Sequence, residues 1–212
     1  MNFRELLVIV GDEPIFNTSV LLTGQSSAAG IRRQLDRWVK SGKIIMLRRG
    51  VYAVADPYAA KHPHLFSIAN ALRRASYISL ESALAYYGMI PEYTPVAMSV
   101  TNGRTETLNN SMGRFVFRHL KKSMFFGFKE QEIVPGQTAL IATPEKALVD
   151  LLYLTPGSDH TNYLSELRIT LDTHLNMEQL DKVTEQSGSD KVRRAVTKLK
   201  EMSKTESEYV TL

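Results

Sequence analysis

Residues 26–54, SSAAGIRRQLDRWVKSGKIIMLRRGVYAV, decide more about this chain than any other stretch. Their spacing predicts a helix followed at once by a two-stranded hairpin. Ile31, Leu35, Trp38 and Val39 recur at helical spacing and make one apolar stripe. A rotation of about 100° per residue then sends Ser26, Gly30, Arg33 and Arg37 to the opposite face. Ser26 or Ser27 caps the first turn and Ser41-Gly42 closes the last. Lys43 to Leu47 and Val51 to Val54 read as short strands joined by Arg48-Arg49-Gly50. A helix start of small residues, arginines turned from the core and a basic hairpin tip are the parts of a winged helix-turn-helix reading head.

Charge agrees with this. Arg32, Arg33, Arg37, Lys40, Lys43, Arg48 and Arg49 stand here against the single acid Asp36, a local balance of +6 where the whole chain carries +4. Positive charge is thus concentrated where phosphates would be neutralised. The competing reading is a solvated amphipathic helix beside an ordinary hairpin. Helix, turn, hairpin and charge together favour the reading head.

Upstream, Phe3, Leu6, Leu7 and Val10 predict a short amphipathic helix that Gly11-Asp12-Glu13-Pro14 ends. A second short helix is expected within Ile15 to Leu22, ending at Thr23-Gly24. Three helices and then a wing is the order a winged helix requires. The start of the third helix enters the major groove, which puts Gln25, Ser26, Ser27, Ala29, Gly30 and Arg33 nearest the bases. Arg37, Lys40, Arg48 and Arg49 are expected on phosphates, and Arg32 and Lys43 belong to the same cationic set.

A length of 212 residues suits two modest domains. We expect an α+β protein: a winged helix-turn-helix over residues 1–56, a linker over 57–63, and a mixed domain over 64–212 with a small, mainly antiparallel sheet and a helical C-terminus. The chain has no cysteine, which excludes disulfides, thiolate metal sites and cysteine nucleophiles. Its longest apolar runs, Leu6 to Val10 and Ala147 to Leu154, are too short to span a bilayer. Glu5 and Asp12-Glu13 interrupt any signal-peptide layout, so a cytoplasmic protein without a membrane partner is expected.

Beyond the linker, His62 and His64 flank Pro63 and read as a surface loop rather than metal ligands. A helix is predicted over His64 to Arg74. Ser79 reads as the N-cap of the next helix, and Gly88 with Pro91 ends it. Of the adjacent Tyr86 and Tyr87, one is expected in the core and the other partly exposed. Val96 to Thr101, Arg114 to Leu120, Met124 to Phe128 and Thr138 to Ala142 read as strands, with Asn102-Gly103 and Pro135-Gly136 as turns. Arg104, Arg114, Arg118, Lys121 and Lys122 exceed what a core needs and are candidate partner contacts.

Thr143, Pro144 and Glu145 open a clear helix, with Ala147, Leu148, Leu151 and Leu152 as its buried stripe. Glu145, Lys146 and Asp150 tempt a metal-dependent nuclease reading. Their place at one helix start is explained instead by capping and solvation. Further helices are expected around Tyr163, Leu164, Leu167 and Leu171, from Asn176, and from Ser187 to Asp190. The last of these is basic through Lys191, Arg193, Arg194, Lys198 and Lys200, and is read as a solvated helix back. Residues after Ser203 are expected to fray.

No enzyme motif is found. Ser41-Gly42-Lys43 fails as a phosphate loop, because the required earlier glycine is Arg37 and the next residue is Ile44. There is no dinucleotide fingerprint, no His-Glu-x-x-His and no serine elbow. Neither catalytic residues, nor a metal, nor a cofactor are expected.

Three separated runs resemble one known family. They are Leu35-Asp36-Arg37-Trp38-Val39-Lys40-Ser41-Gly42-Lys43-Ile44 continuing to Leu47-Arg48-Arg49-Gly50-Val51-Tyr52, then Tyr77-Ile78-Ser79-Leu80-Glu81-Ser82-Ala83-Leu84 to Tyr87-Gly88-Met89-Ile90-Pro91-Glu92, then Ala142-Thr143-Pro144-Glu145-Lys146-Ala147-Leu148 to Asp150-Leu151-Leu152. In that order they resemble the AbiEi antitoxins of bacterial abortive-infection (type IV) toxin–antitoxin systems. The resemblance implies a winged-helix domain that represses its own operon by binding inverted repeats in double-stranded promoter DNA. It also implies a C-terminal domain that counteracts a nucleotidyltransferase-like toxin, often without a stable complex. The alternative is a stand-alone winged-helix regulator whose C-terminal domain binds a partner or ligand.

Overall fold

The computed structural model describes residues 1–22, 27–91, 95–170 and 175–210, with side chains as far as Ser203. The first unit runs α1 (Phe3–Val10), β1 (Ile15–Asn17), α2 (Thr18–Leu21), α3 (Ala28–Lys40), β2 (Ile44–Arg48) and β3 (Val51–Val54). Leu6, Val10, Phe16, Leu21, Ile31, Leu35, Trp38, Ile44, Tyr52 and Val54 form its core. The apolar stripe of α3 therefore faces inward as its period requires. Asn2 and Glu5 close a reciprocal capping box at the start of α1.

Ile15–Asn17 is a strand rather than part of the second helix. It pairs antiparallel with Val51–Ala53 and completes a three-stranded sheet in the order β1-β3-β2. β1 exists because the hairpin leaves β3 with a free edge, and a three-residue segment takes its shape from that edge.

The second unit holds α4 (Leu65–Leu72), β4 (Ser76–Ile78), α5 (Leu80–Tyr86), β5 (Val96–Thr101), β6 (Glu106–Asn110), β7 (Gly113–His119), β8 (Phe128–Val134), β9 (Gln137–Ala142), α6 (Pro144–Leu154), α7 (Thr161–Glu166), α8 (Met177–Ser187) and α9 (Asp190–Val210). Its six-stranded sheet has the order β6-β7-β5-β4-β9-β8. The β6–β7, β4–β5 and β8–β9 pairings are antiparallel, while β5–β7 and β4–β9 are parallel. The sheet is mainly antiparallel, as expected, but β6 and β8 were not foreseen as placed. The strand expected over Met124 to Phe128 is a 3₁₀ turn over Lys122–Met124 followed by loop, and the extended segment begins at Phe128. Gly127 sits at φ +74, a conformation that interrupts a strand.

The two cores share a strand. Tyr52 and Val54 of β3 point into the first core, while Val51 and Ala53 join Leu47 in the core of the second unit. Alternation along a strand sends neighbours to opposite faces, and here both faces are covered. The polypeptide from His62 to His64 is stitched to β9, since Gln137 donates to the His62 carbonyl (2.8 Å) and accepts from the His64 amide (2.8 Å).

α9 is basic, yet its cations bind within the protein. Lys191 donates to the Tyr153 and Thr155 carbonyls at 2.9 and 2.7 Å, and Arg118 to that of Leu154 at 3.1 Å. These charges close the C-terminal end of α6, where unpaired carbonyls carry negative potential. Arg194 bonds Asp159 twice, at 2.8 and 3.0 Å, and Lys200 pairs with Asp181 at 2.5 Å. The expected solvated helix back is thus largely engaged in packing α9 on the body. The helix continues to Val210, past the point where fraying was expected.

His64 caps α4 by accepting from the Phe66 amide through Nδ1 (3.2 Å), and burial lowers its pKa below 6.5. Protonation would remove that acceptor. A lowered folded-state value means the unfolded chain takes up the proton first, so the contribution is complete above pH 6.5 and lost as pH falls through the folded value. Stability measured by denaturant unfolding should decline on acidification in this window, and less so in His64→Asn, which keeps an acceptor without titrating.

Candidate nucleic-acid interface

The helix α3 starts bare. Ser27 is its N-cap and accepts from the Gly30 amide at 3.1 Å. Ser27, Ala28 and Ala29 are exposed, Gly30 half-exposed. A Cβ on Gly30 would lie 3.1 Å from the Ser27 hydroxyl oxygen, so the cap and the glycine fit together. Side chains this short let the backbone of the first turn approach a groove floor closely.

Behind that start the exposed face carries charge. Arg32, Arg33, Arg37 and Lys40 are all exposed, while Ile31, Leu35 and Trp38 are buried. Ser27, Gly30, Ile31, Arg33, Gln34 and Arg37 line one open groove of about 390 Å³, to which Met1 adds its side. Gln34 accepts from the Arg37 guanidinium at 2.8 Å and so orients it along the groove. Arg32, Arg33, Lys40 and Arg49 have no partner among the described residues. Free guanidinium forks beside an amide side chain can contact phosphate oxygens and the acceptor edge of guanine.

Met1 and Gln34 were not singled out from sequence. Gln34 stands three residues before Arg37, a spacing that places the two side by side on a helix. The place of Met1 depends on how α1 packs, which no local pattern reveals.

Two members of the cationic set turn elsewhere. Lys43 is half-buried with its ammonium 4.9 Å from the centre of the Phe3 ring. Arg48 donates to the Leu72 carbonyl at 3.1 Å and lies 3.8 Å from Glu106, which also pairs with Arg73. Asn110 donates to the Leu47 carbonyl at 3.1 Å beside it. The wing is therefore held against β6 of the second unit, with Arg49 at its exposed tip. Gln25 and Ser26 lie outside the described residues.

The five cations suggested as partner contacts do not share one role. Arg104, Arg114 and Lys122 are exposed. Arg118 closes α6, and Lys121 donates to the Ser187 carbonyl at 3.3 Å with its head 5.3 Å from the Tyr153 ring centre.

The polar start of α6 corrects the sequence reading outright. Glu145, Lys146 and Asp150 are buried, not solvated. Lys146 forms an ion pair with Asp150, whose other oxygen accepts from Tyr77 and Ser79, each at 2.9 Å. Glu145 accepts from the Asn176 amide at 2.9 Å. Ser79 occupies the N-cap position of α5 but spends its hydroxyl on Asp150 rather than on the helix. Burial pushes the Asp150 carboxyl up and the Lys146 ammonium down, and each partner's charge opposes this. Tyr77, Ser79, Lys146 and Asp150 are all inaccessible, so the cluster presents no surface to a substrate. Among the described residues no three His, Asp or Glu side chains converge as a metal site. No described helix is long and apolar enough to cross a membrane.

A search of curated proteins finds no match to the chain. Residues 19–55 match the family described as "Transcriptional regulator, AbiEi antitoxin", a segment that holds most of α2, all of α3 and the wing. The similarity to this family of regulators is thus confined to the reading head.

Proposed function

We propose that the chain is the antitoxin of a type IV, abortive-infection system and represses its own operon. In this reading the winged helix grips inverted repeats in the promoter, and the unit from residue 64 onward counteracts a nucleotidyltransferase-like toxin in the cytoplasm. The supporting observation is the groove on α3, where Ser27, Gly30, Arg33, Gln34 and Arg37 converge inside the family-matched segment. Arg33 and Gln34 read base edges, Arg32, Arg37, Lys40 and Arg49 take phosphates, and no catalytic group is required.

Binding to the chain's own promoter, titrated against salt, tests this. Arg33→Ala should lose about 1–3 kcal/mol and relax sequence preference if it pairs with guanine. Arg49→Ala should weaken all sequences alike and flatten the salt slope by about 0.9. Unchanged binding in both variants would remove the reading head from this surface.

The family match ends at residue 55, which favours a second reading in which the C-terminal unit serves a stand-alone regulator. Co-expression with a nucleotidyltransferase encoded beside the gene separates the two. Growth rescue supports the antitoxin; its absence, with promoter binding intact, supports the regulator.

A further inference from the structure

We infer that Glu106 is an internal stand-in for a DNA phosphate: it latches Arg48 of the wing in the free protein, and Arg48 swings from it to the duplex on binding. This rests on the operator-binding reading above. Among the described residues Arg48 makes its contacts through one nitrogen, Nη1. That atom donates to the Leu72 carbonyl at 3.1 Å and lies 3.8 Å from the Glu106 carboxylate. The Arg48 side chain is still 42% exposed.

The latch is fixed on one side and loose on the other. Glu106 pairs closely with Arg73, whose guanidinium lies over the Phe117 ring, 5.6 Å from the centre. The Arg73 Nε is buried without an acceptor among the described residues, so Arg73 depends on Glu106 and keeps it in place. Arg48 is held less well. A charge-assisted bond between guanidinium and carboxylate spans about 2.7–2.9 Å, and a half-exposed pair looser than that stabilises little. A phosphate oxygen offers the same charge and can be met at full hydrogen-bond distance.

The exchange needs only a side-chain rotation. Asn110 donates to the Leu47 carbonyl at 3.1 Å and ties the wing backbone to β6. The register of β2 on β3 shifts between Met46 and Arg48, which leaves Leu47 buried and Arg48 exposed. Arg49 beside it stands exposed at the tip, where a docked duplex would bring phosphates within reach. Because phosphate contacts carry no base information, Glu106 lowers the wing's grip on every sequence alike.

The full chain should be titrated with promoter duplex over a range of salt as parent, Glu106→Gln, Arg48→Ala and the double variant. Glu106→Gln removes the charge but keeps a carbonyl acceptor for Arg73, and an unaltered thermal melt verifies the fold. It should bind about three- to fivefold more tightly than the parent, with the same salt slope. Arg48→Ala should flatten the slope by about 0.9, and adding Glu106→Gln to it should bring no gain. A gain of equal size in the Arg48→Ala background means that Glu106 merely repels the duplex, and overturns the latch. An unchanged slope in Arg48→Ala overturns it too, since Arg48 then never reaches a phosphate, and this arm does not need the Glu106 variant to fold. Either result leaves the operator reading in place. Failure of the parent to bind the promoter overturns both.

Discussion

Replacing Asp150 with alanine should cost about 3–5 kcal/mol of folding stability, read as a lowered midpoint in denaturant unfolding. The substitution strands the Lys146 ammonium in a site with no access to water, ringed by Tyr77 and Phe126 at 5.7 and 5.0 Å. It also takes the acceptor from the hydroxyls of Tyr77 and Ser79. Desolvating two charges costs several kcal/mol, and only their attraction and the added hydrogen bonds offset it. Removing both charges together should therefore be milder: Lys146→Met/Asp150→Leu is expected to recover much of the loss. A single Asp150 substitution no worse than an exposed one would mean that the pair is hydrated in solution.

Trp38→Ala is the second large effect, again about 3–5 kcal/mol. Trp38 is 5% exposed and meets Phe3 edge-on, with ring centres 5.4 Å apart. Its removal opens a cavity at the centre of the reading head. The consequence should not stay local, because β3 supplies Tyr52 and Val54 to that core and Val51 and Ala53 to the other. One cooperative transition, displaced as a whole, is the expected result by calorimetry. A new early transition with the main one unmoved would show that the two cores melt independently.

Both effects arise where local pattern and tertiary structure part. Lys146 and Asp150 stand at i and i+4 on a helix start, the spacing of a common surface pair. Read alone, it says solvation. Burial comes from Tyr77 on β4 and Ser79 at the N-cap of α5, some seventy residues away in sequence, and from Gly127, whose missing Cβ leaves room for the Lys146 stem. Arg48 is a similar case. Its place in a basic hairpin tip says phosphate, whereas Glu106 and the Leu72 carbonyl hold it from outside the head.

The stripe of α3, its serine cap, the wing strands and the arginine face were readable in order, because turn angle, capping and strand alternation act over a few residues. The run Val51-Tyr52-Ala53-Val54 even announces a strand covered on both sides. What covers its second face, which cations stay exposed and which close a helix end, and that α6 turns charge inward, were settled only when distant segments met. Solvent exclusion belongs to the assembled neighbourhood of a side chain, and no short stretch of residues contains it.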